Sequence, residues 1–207
     1  MKQLKIVIID YGVGNTHSVS NAIKHLGYKQ LKISDNEQTI KEADVLILPG
    51  VGAFDECMKN LKDSHLDTIL GEQVLENKKP ILGICVGMQM MAEFSEENGI
   101  HQGLNWIHGM VKKLDLPKNF AVPHVGWNNV TIEHNEPIFS RNDENCNFYF
   151  DHSYYFHCNE EYVSAWCDYG VKITAAVQQD NIFGVQFHPE KSQTNGLKLF
   201  RSFFNSI

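Results

Sequence analysis

The segment Gly83-Ile84-Cys85-Val86-Gly87 sets one cysteine between two glycines, directly after an apolar run. This is the G-x-nucleophile-x-G spacing, in which a sharp strand-to-helix turn lifts one side chain out of a sheet. Glycines flank it because backbone and side chains crowd such a turn. A helix starting beneath the sulfur favours the thiolate through its dipole and unpaired N–H groups. A second segment, Phe187-His188-Pro189-Glu190, offers a base and a carboxylate to orient it. Residues two apart in extended chain share a face, and Pro189 biases His188 towards that form. Each segment alone has a plain alternative: a buried inert thiol, or a strand-end histidine beside a solvated glutamate. Together, Cys85, His188 and Glu190 fit the nucleophile–base–orienter logic of covalent catalysis.

Pro49-Gly50-Val51-Gly52-Ala53 follows another apolar run. Glycines there let backbone N–H groups face a pocket at the carboxyl ends of parallel strands. One such N–H, from Gly50, Val51 or Gly52, and that of Val86 would make an oxyanion hole. Gly12-Val13-Gly14-Asn15 invites a dinucleotide reading, but His17 stands where the third glycine belongs, so the loop is weak evidence. The ten histidines include no HExxH or comparable ligand pair, and no metal site or cofactor is expected. In the aromatic stretch 148–156, Asp151, His152 and Ser153 interrupt a core-like run, as if one edge met a pocket.

The elements that must hold these residues alternate through the first half. Strands are expected at 4–9, 30–33, 44–48 (halted by Pro49-Gly50) and 80–84. Helices are expected from Asn15, as a cap, to about Leu26, from 53 to 76 with a break near Asp63-Ser64, and from 87 to 94. Such alternation predicts an α/β fold with a largely parallel sheet flanked by helices. Beyond residue 100, runs at 122–132, 148–156, 162–167, 173–177 and 182–187 predict a strand-rich, partly antiparallel extension, closed by a helix over 196–204.

A chain of 207 residues without repeats or linkers is expected to form one domain. With 18 Lys and Arg against 25 Asp and Glu, its net charge of −7 lacks the footprint of a nucleic-acid or anionic-membrane binder. Four consecutive apolar residues before Asp10 are too few for a signal-peptide core. The five cysteines (57, 85, 146, 158 and 167) are odd in number and form no CxxC pair. A cytosolic location is the expectation.

The motifs Asp10-Tyr11-Gly12-Val13-Gly14-Asn15, Gly83-Ile84-Cys85-Val86-Gly87-Met88-Gln89, Pro123-His124-Val125-Gly126-Trp127-Asn128, His152-Ser153-Tyr154 and His188-Pro189-Glu190-Lys191-Ser192 run the length of the chain. In them the sequence resembles the class I, triad-type glutamine amidotransferases, and more narrowly the glutaminase subunits of imidazole glycerol phosphate synthases. The resemblance implies that Cys85 attacks the carboxamide of glutamine, that His188 moves the proton and that Glu190 orients it. It places Gln89, His152, Ser153 and Tyr154 around the glutamine, and Gly50, Val51 and Gly52 on an oxyanion strand that rearranges on activation. It implies a heterodimer with a (β/α)8-barrel synthase that receives the ammonia, with Asn15, His124, Trp127 and Lys191 near the interface. That synthase would make imidazole glycerol phosphate and aminoimidazole carboxamide ribotide in histidine synthesis.

Four positions depart from the family pattern: Asp151 where an apolar residue is usual, Val86 for leucine, and Thr16-His17 in the first loop. Asp151 would either perturb the glutamine site or point outward. Two other functions compete. One is a paralogous glutaminase feeding a different synthase, such as one amidinating a nucleotide sugar. The other is a non-catalytic interaction module, which the intact Cys85, His188 and Glu190 oppose.

Overall fold

Four apolar runs, IVII, VLILPG, ILGIC and IFGV, are buried along their whole length. Strands covered on both faces belong at the centre of a parallel sheet. The computed structural model, which describes residues 4–143 and 145–207, places them there. They are β1 (Ile6–Ile9), β3 (Val45–Gly50), β4 (Ile81–Cys85) and β13 (Ile182–Val185), with β2 (Leu31–Ser34) at the edge. β8 (His124–Ile132), β9 (Asn145–His152), β11 (Val163–Asp168) and β12 (Lys172–Gln179) complete a nine-stranded sheet in the order β2-β1-β3-β4-β13-β12-β11-β8-β9. The first five are mutually parallel, and every pairing from β13 outward is antiparallel. A smaller sheet joins β10 (Tyr154–Cys158), β7 (Gly109–Lys113), β5 (Phe94–Ser95) and β6 (His101–Gln102) in that order.

The helices are α1 (Thr16–His25), α2 (Glu37–Lys41), α3 (Phe54–Asp63), α4 (Leu66–Gly71), α5 (Val86–Gln89) and α6 (Gln193–Asn205). α3 buries Phe54, Cys57, Met58 and Leu61, and α6 buries Leu199, Phe200, Phe203 and Phe204. Both sets fall on one helical stripe, which is what lies on a sheet. The break between α3 and α4 falls at Ser64-His65, where His65 takes a left-handed φ of 57°.

Several expectations need correction. β3 is not halted by Pro49-Gly50 but runs through both residues. Asn15 occupies the N-cap position of α1, yet its side chain makes no capping bond; its backbone carbonyl accepts from Val19 instead. The helix expected over 87–94 stops after one turn, and residues 94–95 form β5. The carbonyls of Met90, Met91, Ala92 and Glu93 accept from the amides of residues 103–107, which reach the segment from further along the chain. The aromatic run 148–156 is two strands in different sheets, broken at Ser153, whose carbonyl accepts from Leu114 N–H at 2.9 Å.

Candidate active site

β4 ends at Cys85, whose backbone stands at φ 56°, ψ −113°, immediately before α5. A positive φ on a residue with a side chain costs on the order of 1–3 kcal/mol and persists only where the surroundings fix it. Here they do. A Cβ on Gly87 would run into the Leu48 carbonyl, and one on Gly50 would lie 2.6 Å from the Gly87 nitrogen. Those glycines let β3 and the elbow close on each other, with Gly50 paired to Cys85 in register.

Cys85 is 3 % exposed. His188 follows β13, and its ring borders the same cleft as Cys85, which helps to raise the imidazole. The backbone of His188 is fixed on both sides: its N–H donates to Tyr149 O at 2.8 Å, and its carbonyl accepts from Ser192 Oγ at 2.6 Å. His188 Nδ1 lies 2.9 Å from Glu190 Oε1, and both side chains are almost fully buried. Burial by itself would lower the imidazole, but its bonds to Cys85 and Glu190 prevail and raise it to about 10. His188 is extended, at φ −102°, ψ 94°, but Glu190 sits in a 3₁₀ turn, Pro189–Lys191. The turn, rather than strand alternation, swings the carboxylate back to the ring.

Cys85 and His188 border a cleft of about 140 Å3 whose wall includes Val51, Gly52, Val86 and Gln89. Val86 opens α5, so its N–H has no acceptor within the helix. Gly50 does not line the cleft; it lies under the elbow. The Pro49–Gly52 segment is tied to the first loop by Tyr11, whose buried hydroxyl donates to Pro49 O at 2.7 Å. Burial raises the Tyr11 phenol well above its ordinary range, so it stays a neutral donor.

His152, Ser153 and Tyr154 form the opposite wall. Tyr154 O accepts from Gln89 Nε2 at 2.8 Å and lies 2.8 Å from His152 Nδ1. A carbonyl only accepts, so His152 carries its proton on Nδ1. His152 Nε2 is then the acceptor for His124 Nδ1–H at 3.0 Å, and His124 Nε2 accepts from Asn128 Nδ2 at 3.3 Å. Burial keeps both imidazoles neutral, lowering His152 to about 3 and His124 to about 4. With both ring nitrogens of His152 occupied within the chain, the cleft is offered the ring edge and not a hydrogen bond. His152 does line the cleft, and its bonds within the chain brace that wall.

His124 departs from expectation. It is 2 % exposed, stacked between Tyr169 and Phe150, and offers no surface to a partner. His124 and Trp127 are three apart on β8, so they fall on opposite faces of the strand. Trp127 is 45 % exposed and Val125 53 %. Lys191 lies nearby, its ammonium 5.3 Å from the Tyr149 ring and 3.8 Å from Asp151 Oδ2. Asp151 therefore sends its carboxylate outward to Lys191, while its carbonyl accepts from Cys85 Sγ at 3.9 Å. Asn15 is half-buried at the start of α1.

Residue patterns alone missed Glu97. This carboxylate lines the cleft and accepts from the Phe54 N–H at the start of α3 at 2.9 Å. Burial, countered by that bond, raises it above the ordinary carboxylate range. Beside Glu96 in a polar stretch, it carries no residue spacing that marks a site. Gln186 was also missed; extending the side-chain alternation back two residues from His188 would have found it. Among the described residues no group of three histidine, cysteine or acidic side chains converges as a metal site.

A cysteine held at a strained elbow, with a buried histidine and glutamate behind it, is an arrangement suited to thiol-dependent acyl transfer on an α/β sheet. The chain belongs to the class-I glutamine amidotransferase family, whose model matches residues 7–207. Within the family it is similar to imidazole glycerol phosphate synthase subunit HisH 2 of Vibrio vulnificus (strain YJ016), at 47% identity over 99% of this chain and 95% of that protein. It is also 47% identical to subunit HisH 1 of Campylobacter jejuni (strain RM1221), over 96% of this chain and 98% of that one. Among solved structures it resembles a glutamine amidotransferase at TM-score 0.75 and 18% identity, covering 96% of this chain and 97% of that one. Another, PurLQS from Thermotoga maritima, matches at TM-score 0.71 and 16% identity, over 99% of each chain. At these identities the structural likeness shows the fold.

Proposed function

We propose that this chain is the glutaminase subunit of an imidazole glycerol phosphate synthase, acting in the cytosol and passing ammonia to a (β/α)8-barrel partner. The observation that carries the chemistry is the buried Cys85–His188–Glu190 array at the carboxyl end of the central sheet. The Cys85 thiol gives its proton to His188 as the sulfur attacks the carboxamide carbon of glutamine. The developing oxyanion is received by the Val86 N–H and an amide of the Val51–Gly52 segment. His188 hands its proton to the departing nitrogen, and ammonia leaves a glutamyl thioester. Water, deprotonated by the now neutral His188, releases glutamate and restores the thiol. Glu190 keeps the ring oriented and offsets its charge in both halves. Glu97 gives the cleft an anionic wall suited to the α-ammonium of the substrate.

Ammonia released into water would be protonated and lost as a nucleophile, so this chemistry calls for a docked acceptor. We assign the docking face to the exposed Val122, Val125 and Trp127, together with Lys191 and Asn15. The relatives' names support the histidine-pathway partner.

A second reading has one observation in its favour. Relatives from Vibrio vulnificus, Campylobacter jejuni and Pseudomonas aeruginosa carry copy numbers in their names, HisH 1 or HisH 2. A numbered copy leaves room for a paralogue that serves a different synthase with the same triad. The deciding measurement is glutamate release from glutamine, with and without a histidine-pathway barrel synthase carrying its nucleotide ligand. Strong stimulation supports the histidine-pathway role. Its absence, with Cys85 still reactive to a glutamine-like electrophile, sends the search to another synthase.

A further inference from the structure

Gln186 is 0 % exposed, between β13 and the catalytic histidine. Its backbone is pinned by Gln186 N–H to Ala175 O at 2.9 Å, and two residues later by His188 N–H to Tyr149 O at 2.8 Å. Its side-chain amide lies between two partners, Gln89 at 2.9 Å and the sulfur of Cys85 at 3.7 Å.

Which end of that amide faces the sulfur is set by one fixed point. Tyr154 O can only accept, so the atom of Gln89 at 2.8 Å from it is the NH2 nitrogen. The same nitrogen approaches Gln186 at 2.9 Å, so the near atom of Gln186 must be its oxygen. The other end, the NH2 group, is then the end that meets Cys85. His152, whose Nδ1–H fills the second lone pair of Tyr154 O, locks the anchor. The chain of bonds is directional from a backbone carbonyl to the nucleophile and has no alternative assignment.

We propose that Gln186 is a donor dedicated to the thiolate of Cys85, oriented for that purpose by Gln89 and Tyr154 O. The neutral thiol has a separate partner, since Cys85 Sγ donates to Asp151 O at 3.9 Å. On ionisation that bond is lost, and the sulfur accepts from Gln186 and His188 together. A hydrogen bond to an ionised acceptor is roughly twice as strong as one between neutral groups. Gln186 therefore favours the attacking form over the resting one. The inference rests on the reading of Cys85 as nucleophile, and it assigns Gln89 a second duty, setting the Gln186 amide, besides lining the cleft.

The test uses the full chain and iodoacetamide, a probe small enough not to need the glutamine-binding wall. Alkylation of Cys85 is followed by site-resolved mass spectrometry across pH in the parent protein, Gln186→Met and Gln186→Asn. Methionine keeps the volume without a donor; asparagine keeps the amide but withdraws it by one methylene. Alkylation of Cys85 at pH 7 is expected to slow about tenfold in both, the size of one hydrogen bond to a charged group, with the pH midpoint moved upward. If one variant does not fold, the other carries the comparison. A folded variant whose alkylation profile overlies the parent's overturns the proposal, even if glutamine turnover falls, because Gln186 would then act only by propping Gln89. Should the parent protein prove not to hydrolyse glutamine with any synthase, the proposed function fails, while the alkylation comparison still decides the role of Gln186.

Discussion

Cys85 is held where its own side chain is unwelcome. At φ 56°, ψ −113° a glycine is at ease and any other residue is not. Cys85→Gly should therefore be more stable than Cys85→Ala, by about 1 kcal/mol, reversing the usual order of these residues. Thermal unfolding of the two variants checks this, and neither should release glutamate from glutamine. In complex with the synthase, Cys85→Ala should still support synthesis from added ammonia. Loss of both activities would contradict the division of labour. Asp151 provides the opposite case, a residue unusual in type yet undemanding in place. Its carboxylate is about half exposed and pairs loosely with Lys191. An exposed ion pair contributes under about 1 kcal/mol, so Asp151→Val should change unfolding free energy by no more than that. Its carbonyl, the part that meets Cys85, remains. The KM for glutamine should accordingly stay within about twofold of the parent's.

At the scale of elements, the site is made by close approach of β3 to the β4–α5 elbow. Gly87 is the contact point: a methyl group there would occupy the space of the Leu48 carbonyl. Relief would require β3 to move away from β4, which carries Gly50–Gly52 with it. Gly87→Ala should cost more than about 3 kcal/mol, read as a fall in denaturation midpoint or as failure to recover folded protein. The G-x-Cys-x-G spacing announced this elbow, because its glycines answer to local crowding. The one-turn length of α5 was not legible. Met90, Met91, Ala92 and Glu93 are residue types that continue a helix readily, and the amides of residues 103–107, arriving from another part of the chain, claim their carbonyls. Ser153 is similar. Nothing in the run 148–156 marks a change of sheet, because β-rich composition records burial and not which neighbour will pair.

At the scale of the molecule, two features make separate predictions. Trp127 and Val125 stand exposed on the outer face of β8. A large aromatic in such a place is the kind of residue that dominates an interface. Trp127→Ala should weaken synthase binding at least tenfold while leaving the isolated subunit's unfolding nearly unchanged. A loss of stability without loss of affinity would refute the docking face. The second feature is the neutral His124–His152 pair at the cleft wall, of which His152 lines the cleft. Burial lowers both, to about 4 and about 3, from an unfolded value near 6.5. Groups whose folded values are depressed contribute stability that is whole above the unfolded value and is lost as pH falls towards the folded one. Unfolding free energy should thus decline from about pH 6.5 towards pH 4, on the order of 2 kcal/mol per histidine. His152→Phe should flatten that decline. Equal slopes in parent and variant, in urea titrations at stepped pH, would remove the pair as its source.

By itself the sequence determined the features set by local chemistry and by periodicity. These are the buried parallel strands, the cysteine between its glycines, and the pairing of His188 with Glu190. They rest on contacts within a few residues, or on how much of a strand is covered, and both leave marks in residue type. Tertiary structure alone decided which side chains share a wall. Glu97 faces Cys85 from a turn, Gln186 takes its direction from Tyr154 O, and His124 turns inward to His152 although Trp127, three residues on, turns outward. Those facts depend on strand partners and register, which join residues distant in the chain and are fixed only when the whole sheet closes over one core.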